Sequence, residues 1–154
     1  MATKSPVSET TLHLKRTFTA PREKVFRAWT DPEELKKWWG PEGYATPSAQ
    51  VDFRVDGRYR LGMKKLPDGE VFYLSGTYRE VKPPEKLVYT WSWEARPEFG
   101  ETLVTVEFRA MGNSTEVVLT HELFPNEKAR QDHDNGWNSC LDRLGGLLLR
   151  PNRA

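Results

Sequence analysis

One change of hydrophobic period limits the folds open to this chain more than any other feature. As far as residue 123, apolar side chains recur mostly at every second position, in short runs cut by turn residues. From residue 127 they recur at intervals of three and four. The first pattern belongs to strands with one buried face, the second to a helix with one buried stripe. Runs over 11–18, 44–55, 59–63, 70–81, 86–94, 104–108 and 115–123 predict seven strands. The turns Asp56-Gly57, Pro67-Asp68-Gly69 and Pro83-Pro84-Glu85 are too short for a parallel crossover, so the strands they join are antiparallel.

Two short helices interrupt this series after the first strand. Pro21 suits a first helical turn, followed by Val25, Phe26, Ala28 and Trp29 as the apolar side. Asp31 can cap a second helix over about 32–38, with Leu35, Trp38 and Trp39 inward. At the other end, Asn126 can cap a helix running to about residue 148. Its stripe is Ala129, His133, Gly136, Trp137, Cys140, Leu141, Leu144 and Leu148. About 22 residues at 1.5 Å each reach ~33 Å, enough to cross a small domain. An antiparallel sheet with one polar face must cover the other, and only this helix is long enough to do so. The expected fold is α+β: a curved antiparallel sheet of about seven strands wrapped on the long C-terminal helix.

The 154 residues fit one domain, read as 11–149 between a flexible N-terminus (1–10) and a C-terminal tail (150–154). The 23 basic and 22 acidic residues leave a net charge of +1, and neither a nucleic acid nor a membrane surface is expected as partner. No apolar run approaches the ~20 residues that span a bilayer. The first nine residues lack an apolar signal core, and Cys140 has no second cysteine to pair with, so the expected location is cytoplasmic. Neither a phosphate loop, a Cys-x-x-Cys motif nor a Ser–His–Asp series is visible, and no cofactor is expected. His121, Glu122, His133 and Asp134 lack a metal-ligand spacing.

Six tryptophans point to a core or a recognition site rich in flat surface. By alternation Trp91 and Trp93, with Tyr59, Tyr73 and Tyr89, line the sheet's concave face. Trp38 and Trp39 are expected at a mouth beside the short helices, and with Tyr44 they would form any exposed protein-docking patch. Gly136 is costly inside a helix, by ~1 kcal/mol against alanine. It either leaves room for a ligand or lets a sheet aromatic pack on bare backbone. His121 and His133 point inward and either hydrogen-bond within the core or serve a ligand as acid or base. Arg16, inward on the first strand, needs a carboxylate, with Asp52 or Glu122 as candidates. Cys140 completes the candidate ligand-binding set of Trp38, Trp39, Tyr59, Tyr73, Trp91, Trp93, His121, His133, Gly136 and Trp137.

Several ordered motifs carry a resemblance. They are Ala20-Pro21 with Val25-Phe26 and Ala28-Trp29, then Thr30-Asp31-Pro32-Glu33 with Leu35 and Trp38-Trp39-Gly40-Pro41. Asp52-Phe53-Arg54 before Gly57, Gly76-Thr77-Tyr78 and Pro84-Glu85-Lys86-Leu87 follow, then Leu119-Thr120-His121-Glu122 and Gly136-Trp137. Over 11–148 the chain resembles the activator of heat-shock protein 90 ATPase homologue family, within the START-like, helix-grip (SRPBCC) superfamily. It departs at Asp56, where the family often has a glycine, and it leaves no room for the extra N-terminal chaperone-binding domain of the eukaryotic co-chaperones. The resemblance implies a helix-grip fold and, in many members, a cavity for hydrophobic small molecules. Three functions follow as expectations: a binder of a small hydrophobic or aromatic ligand; a cyclase- or hydrolase-like enzyme using His and Tyr; and a co-chaperone-like module with a chaperone, or a second copy, as partner.

Overall fold

A computed structural model describes residues 10–149; most of the expected N-terminal segment and the C-terminal tail lie outside the described residues. The elements are β1 (Leu12–Phe18), α1 (Arg22–Thr30), α2 (Pro32–Trp38), β2 (Tyr44–Val51), β3 (Arg58–Lys65), β4 (Val71–Lys82), β5 (Lys86–Trp93), β6 (Thr102–Met111), β7 (Ser114–Glu122) and α3 (Glu127–Leu148). A one-turn 3₁₀ helix, Pro97–Phe99, sits between β5 and β6. The strands form one antiparallel sheet in the order β1-β7-β6-β5-β4-β3-β2. β1 and β2 are thus the two edges, and the chain needs α1 and α2 to travel between them. The sheet curls into a half-barrel around α3, so the α+β helix-grip expectation holds.

Local chemistry sets the boundaries. Asp31 caps α2, its carboxylate accepting from the Glu33 amide at 2.9 Å. Asn126 caps α3 by accepting from the Ala129 amide at 2.9 Å. Pro21 stands one place earlier than expected, at the N-cap of α1. Pairing in the β4–β5 ladder lapses at Gly76 and Thr77, between Ser75–Ser92 and Tyr78–Tyr89, and its register shifts just beyond, between Tyr78 and Glu80. There the Thr77 amide turns to the Thr90 hydroxyl at 2.8 Å, and the Tyr59 hydroxyl donates to the Thr90 carbonyl at 2.5 Å. Gly76 permits the approach, since a Cβ there would lie 2.0 Å from the Thr90 carbonyl oxygen.

Three expectations need correction. The second strand ends at Val51, not near residue 55. Residues 52–57 instead close a compact turn in which Asp56 has φ 68° and its amide bonds the Tyr78 carbonyl at 2.8 Å. Phe53 still reaches the core, edge-on to Phe26 and Tyr78, while Val55 is exposed. Leu123 does not continue the inward row of β7: at φ 73° the chain turns away and leaves it 61% exposed. Phe124 takes the vacated place against His121, ring centroids 4.3 Å apart. Arg16 pairs with neither Asp52 nor Glu122. It donates to Asp142 at 2.7 Å and Asn138 at 3.1 Å, both on α3. Asp52 adjoins the far edge strand, and Glu122 follows the inward His121, so alternation points it outward.

The core runs the length of the sheet–helix contact and takes in Leu74, Leu87, Val104, Val106, Leu119, Leu141 and Leu144. Trp137, Trp91 and Trp29 close its upper end.

Candidate functional site

A hollow of about 390 Å³ opens at that end, between β5, α3 and the loops around 39–44 and 95–99. Its walls carry Trp39, Trp91, Trp93 and Trp137, with Phe72, Phe99 and Met63 beyond them. Gly136 and Cys140 form the α3 side. A Cβ on Gly136 would meet no heavy atom within 4 Å. Of the two readings of this glycine, packing of an aromatic on its bare backbone is therefore ruled out. Burial holds the Cys140 thiol protonated, its pKa pushed up to about 12, so it contributes an unreactive apolar wall.

The inner wall is ordered by a relay of hydrogen bonds. Trp137 Nε1 donates to His121 Nδ1 at 3.1 Å. With Nδ1 thus an acceptor, His121 Nε2 carries the proton and meets the Thr102 hydroxyl at 2.7 Å. Thr102 donates in turn to the Trp91 carbonyl at 3.2 Å. His133 is held the opposite way. Its Nε2 accepts from Trp93 Nε1 at 3.0 Å, so its Nδ1 donates to the Ala129 carbonyl at 2.7 Å. Both imidazoles are neutral, with both nitrogens engaged. Burial depresses the pKa of each, well below the ordinary value for His121, which the nearby His133 depresses further.

That depression sets a pH dependence. Between the ordinary imidazole pKa of ~6.5 and the lower folded value, the unfolded chain binds more protons than the folded one. Stability is therefore full above ~6.5 and falls as pH drops through that window. Urea midpoints at pH 7.5 and pH 5 check this: a lower midpoint at pH 5 is expected, and equal midpoints contradict the neutral assignment.

Eight of the eleven candidate residues border the hollow: Trp39, Tyr73, Trp91, Trp93, His133, Gly136, Trp137 and Cys140. Three do not. Trp38 is fully buried beneath α2, donating to the Ala28 carbonyl at 2.8 Å. Tyr59 is committed to Thr90, and burial raises its pKa. His121 lies behind the Trp91 and Trp137 rings, fully buried. Tyr73 borders only the rim. Its neighbours Leu74, Gly76 and Tyr78 are the inward row, and its own ring lies outside the sheet under the Arg60 guanidinium, 3.7 Å from the centroid. Trp38 at 0% and Trp39 at 4% exposure also remove the expected docking patch around Tyr44.

Sequence reasoning passed over the two loops. Gly40, Pro41 and Tyr44 form one wall because Arg143 of α3 donates to the carbonyls of all three, at 2.7, 3.2 and 3.0 Å. The Ser139 hydroxyl accepts from the Glu42 amide at 2.7 Å. Gly40 and Gly43, at φ 100° and 90°, let the loop fold back onto the helix. A four-residue interval between Ser139 and Arg143 was the available signal, since it aligns both on one helix face. Arg143→Ala is expected to destabilise the fold by about 1–3 kcal/mol through the lost bonds to the Gly40 and Tyr44 carbonyls, since the Pro41 carbonyl keeps the Tyr44 amide at 3.0 Å. Faster amide exchange at 42–44, with exchange in β6 unchanged, checks that the loss is local; uniform acceleration contradicts it.

The match to known proteins is consistent along the chain. The family model described as activator of Hsp90 ATPase homolog 1-like protein matches residues 19–148. A crystal structure of a protein from Chromobacterium violaceum is 28% identical, covering 92% of this chain and 99% of that one, with a TM-score of 0.79. The AHSA1 protein from Silicibacter pomeroyi is 29% identical over 90% of this chain and 96% of its own, with a TM-score of 0.78. An Arthrobacter aurescens protein, at 22% identity, shares the fold with a TM-score of 0.84 over 97% of this chain and 92% of that one. None of the curated proteins matches the chain.

Proposed function

We propose that this chain, which belongs to the activator of Hsp90 ATPase homolog 1-like family, is a receptor for a small, planar, apolar molecule held between β5 and α3. The observation that carries this reading is the open space beside Gly136. A mid-helix glycine sacrifices about 1 kcal/mol of helix stability, and here no packed neighbour gains from it. The room it leaves adjoins four indole rings. A volume of about 390 Å³ suits a molecule of about three fused rings. Aromatic walls favour flat ligands, because stacked and edge-on rings add to simple area burial.

Isothermal titration of the purified protein with tricyclic aromatic compounds tests the reading. One-to-one saturable binding of fluorene or a relative of its shape is expected. Failure of every tricyclic compound to bind overturns it.

A co-chaperone-like role is the second reading, supported by the family and by the β3–β4 hairpin. Leu66, Val71 and Phe72 are exposed there by 51%, 37% and 39%. Association with a purified chaperone ATPase that Phe72→Glu abolishes is its expected result; no association at high concentration removes it.

A further inference from the structure

Four indoles wall the hollow: Trp39, Trp91, Trp93 and Trp137. Among the described residues only Trp93 and Trp137 have acceptors for their N–H groups, and both acceptors are histidine nitrogens. An indole N–H can only donate, so each histidine must offer it a lone pair. Two walls of the hollow are therefore held by bonds that exist only while an imidazole is neutral.

The two pairs differ in access. His121 is fully buried behind the Trp91 and Trp137 rings, with Nε2 tied to Thr102. His133 borders the hollow itself and is half-buried, as is Trp93. A proton entering from the hollow meets His133 first. On the charged ring both nitrogens carry hydrogen: Nδ1 keeps the Ala129 carbonyl, and Nε2 turns from acceptor to donor against the Trp93 N–H, 3.0 Å away. Two donors cannot share that contact. The His133 ring is fixed by Ala129 and packed on Phe99 and Phe124, at 5.4 and 4.8 Å between centroids. Trp93, the last residue of β5 and half-buried on the rim, is the member free to turn away.

Few charges surround the pair. On α3 Asp132 favours a proton on His133. On β7 His121, 5.5 Å away, opposes it, since each ring disfavours charge on the other. Arg96 borders the hollow beyond Phe99 with its Nε paired to Glu98, and β5 presents the uncharged Trp91 and Trp93.

We infer that His133 is a positioning residue of the site: neutral, it holds Trp93 in place as a wall, and on taking up a proton it releases that wall and the aromatic ligand with it. This rests on the receptor reading above and adds the regulation of that site by pH. Coupling is reciprocal, so a bound ligand must also make His133 harder to protonate.

Fluorene titrations from pH 7.5 down to the lowest pH at which the near-ultraviolet dichroism is unchanged test the inference. Native affinity is expected to fall by up to about tenfold, the worth of one hydrogen bond. In His133→Gln an amide oxygen that takes no proton replaces Nε2; this variant should bind within about twofold of native at pH 7.5 and show no decline. His133→Phe fills the space without an acceptor and should bind about tenfold more weakly at every pH. A flat native profile, a decline that persists in His133→Gln, or native-like binding by His133→Phe overturns the positioning role and leaves the receptor reading intact. No binding of fluorene by the native chain at pH 7.5 overturns both. If the variants do not fold, the native Trp93 indole proton decides. An upfield shift that shares its midpoint with the His133 ring protons supports the role; a His133 that does not titrate, or one that titrates with Trp93 unmoved, overturns it.

Discussion

Gly136→Leu is expected to weaken fluorene binding by 100-fold or more while leaving the protein at least as stable as before. The two halves of this result have separate causes. A Cβ at Gly136 meets nothing within 4 Å, so the backbone accepts a side chain without strain. Leucine then gains about 1 kcal/mol in helix propensity over glycine. The same side chain occupies the hollow that Gly136 borders, where the ligand's rings would stack. Gly146→Ala supplies the control, because Gly146 is also unobstructed but exposed on the helix. It should show the propensity gain with unchanged affinity. Calorimetric affinity and urea midpoints measure both quantities. Undiminished binding by Gly136→Leu contradicts the placement of the ligand; a fall in stability contradicts the open space.

Trp137→Ala carries the largest stability cost, about 3–5 kcal/mol. Trp137 stacks on Trp29 with ring centroids 6.2 Å apart and leans on Trp91 at 5.2 Å. Its removal leaves a cavity and strips His121 Nδ1 of the one donor it has among the described residues. For a chain of this length the thermal midpoint should fall by about 10 °C or more. The stacking makes Trp137 a wall of the hollow and a post of the core together. Trp137→Phe keeps the ring and loses the donor, and should cost about 1–2 kcal/mol. A change below 1 kcal/mol for Trp137→Ala would mean that the upper core is loosely packed.

The fold was legible because period is a local signal. Alternation along β3, β5, β6 and β7 placed Tyr59, Trp91, Val104 and Leu119 inward, and caps at Asp31 and Asn126 marked helix starts. It failed where one residue with positive φ redirected the chain: Asp56 and Leu123 broke rows that their neighbours appeared to continue. Tyr73 was misplaced for a different reason: it was grouped by residue type with aromatics of other strands, although parity on its own strand, with Leu74 and Gly76 inward, turns it out.

The site was legible in its helix and in β5, and not in its loops. Gly136 stood out because a mid-helix glycine needs a reason. The wall formed by Gly40, Pro41 and Tyr44 depends on Arg143, nearly 100 residues away, and no periodicity encodes that clamp. The histidines illustrate the limit of residue type. His121 and His133 both faced inward as expected, yet only their partners show that every ring nitrogen is already engaged.

The six indole N–H resonances make the most direct test, because the protein carries its own reporters on both sides of the boundary. Heteronuclear NMR spectra of the native chain would be recorded with and without saturating fluorene. The account predicts large shifts for Trp39, Trp93 and Trp137 at the walls and a stationary resonance for Trp38 in the core. No shift at the wall residues, or a shift of Trp38 as large as theirs, would contradict a ligand seated between β5 and α3.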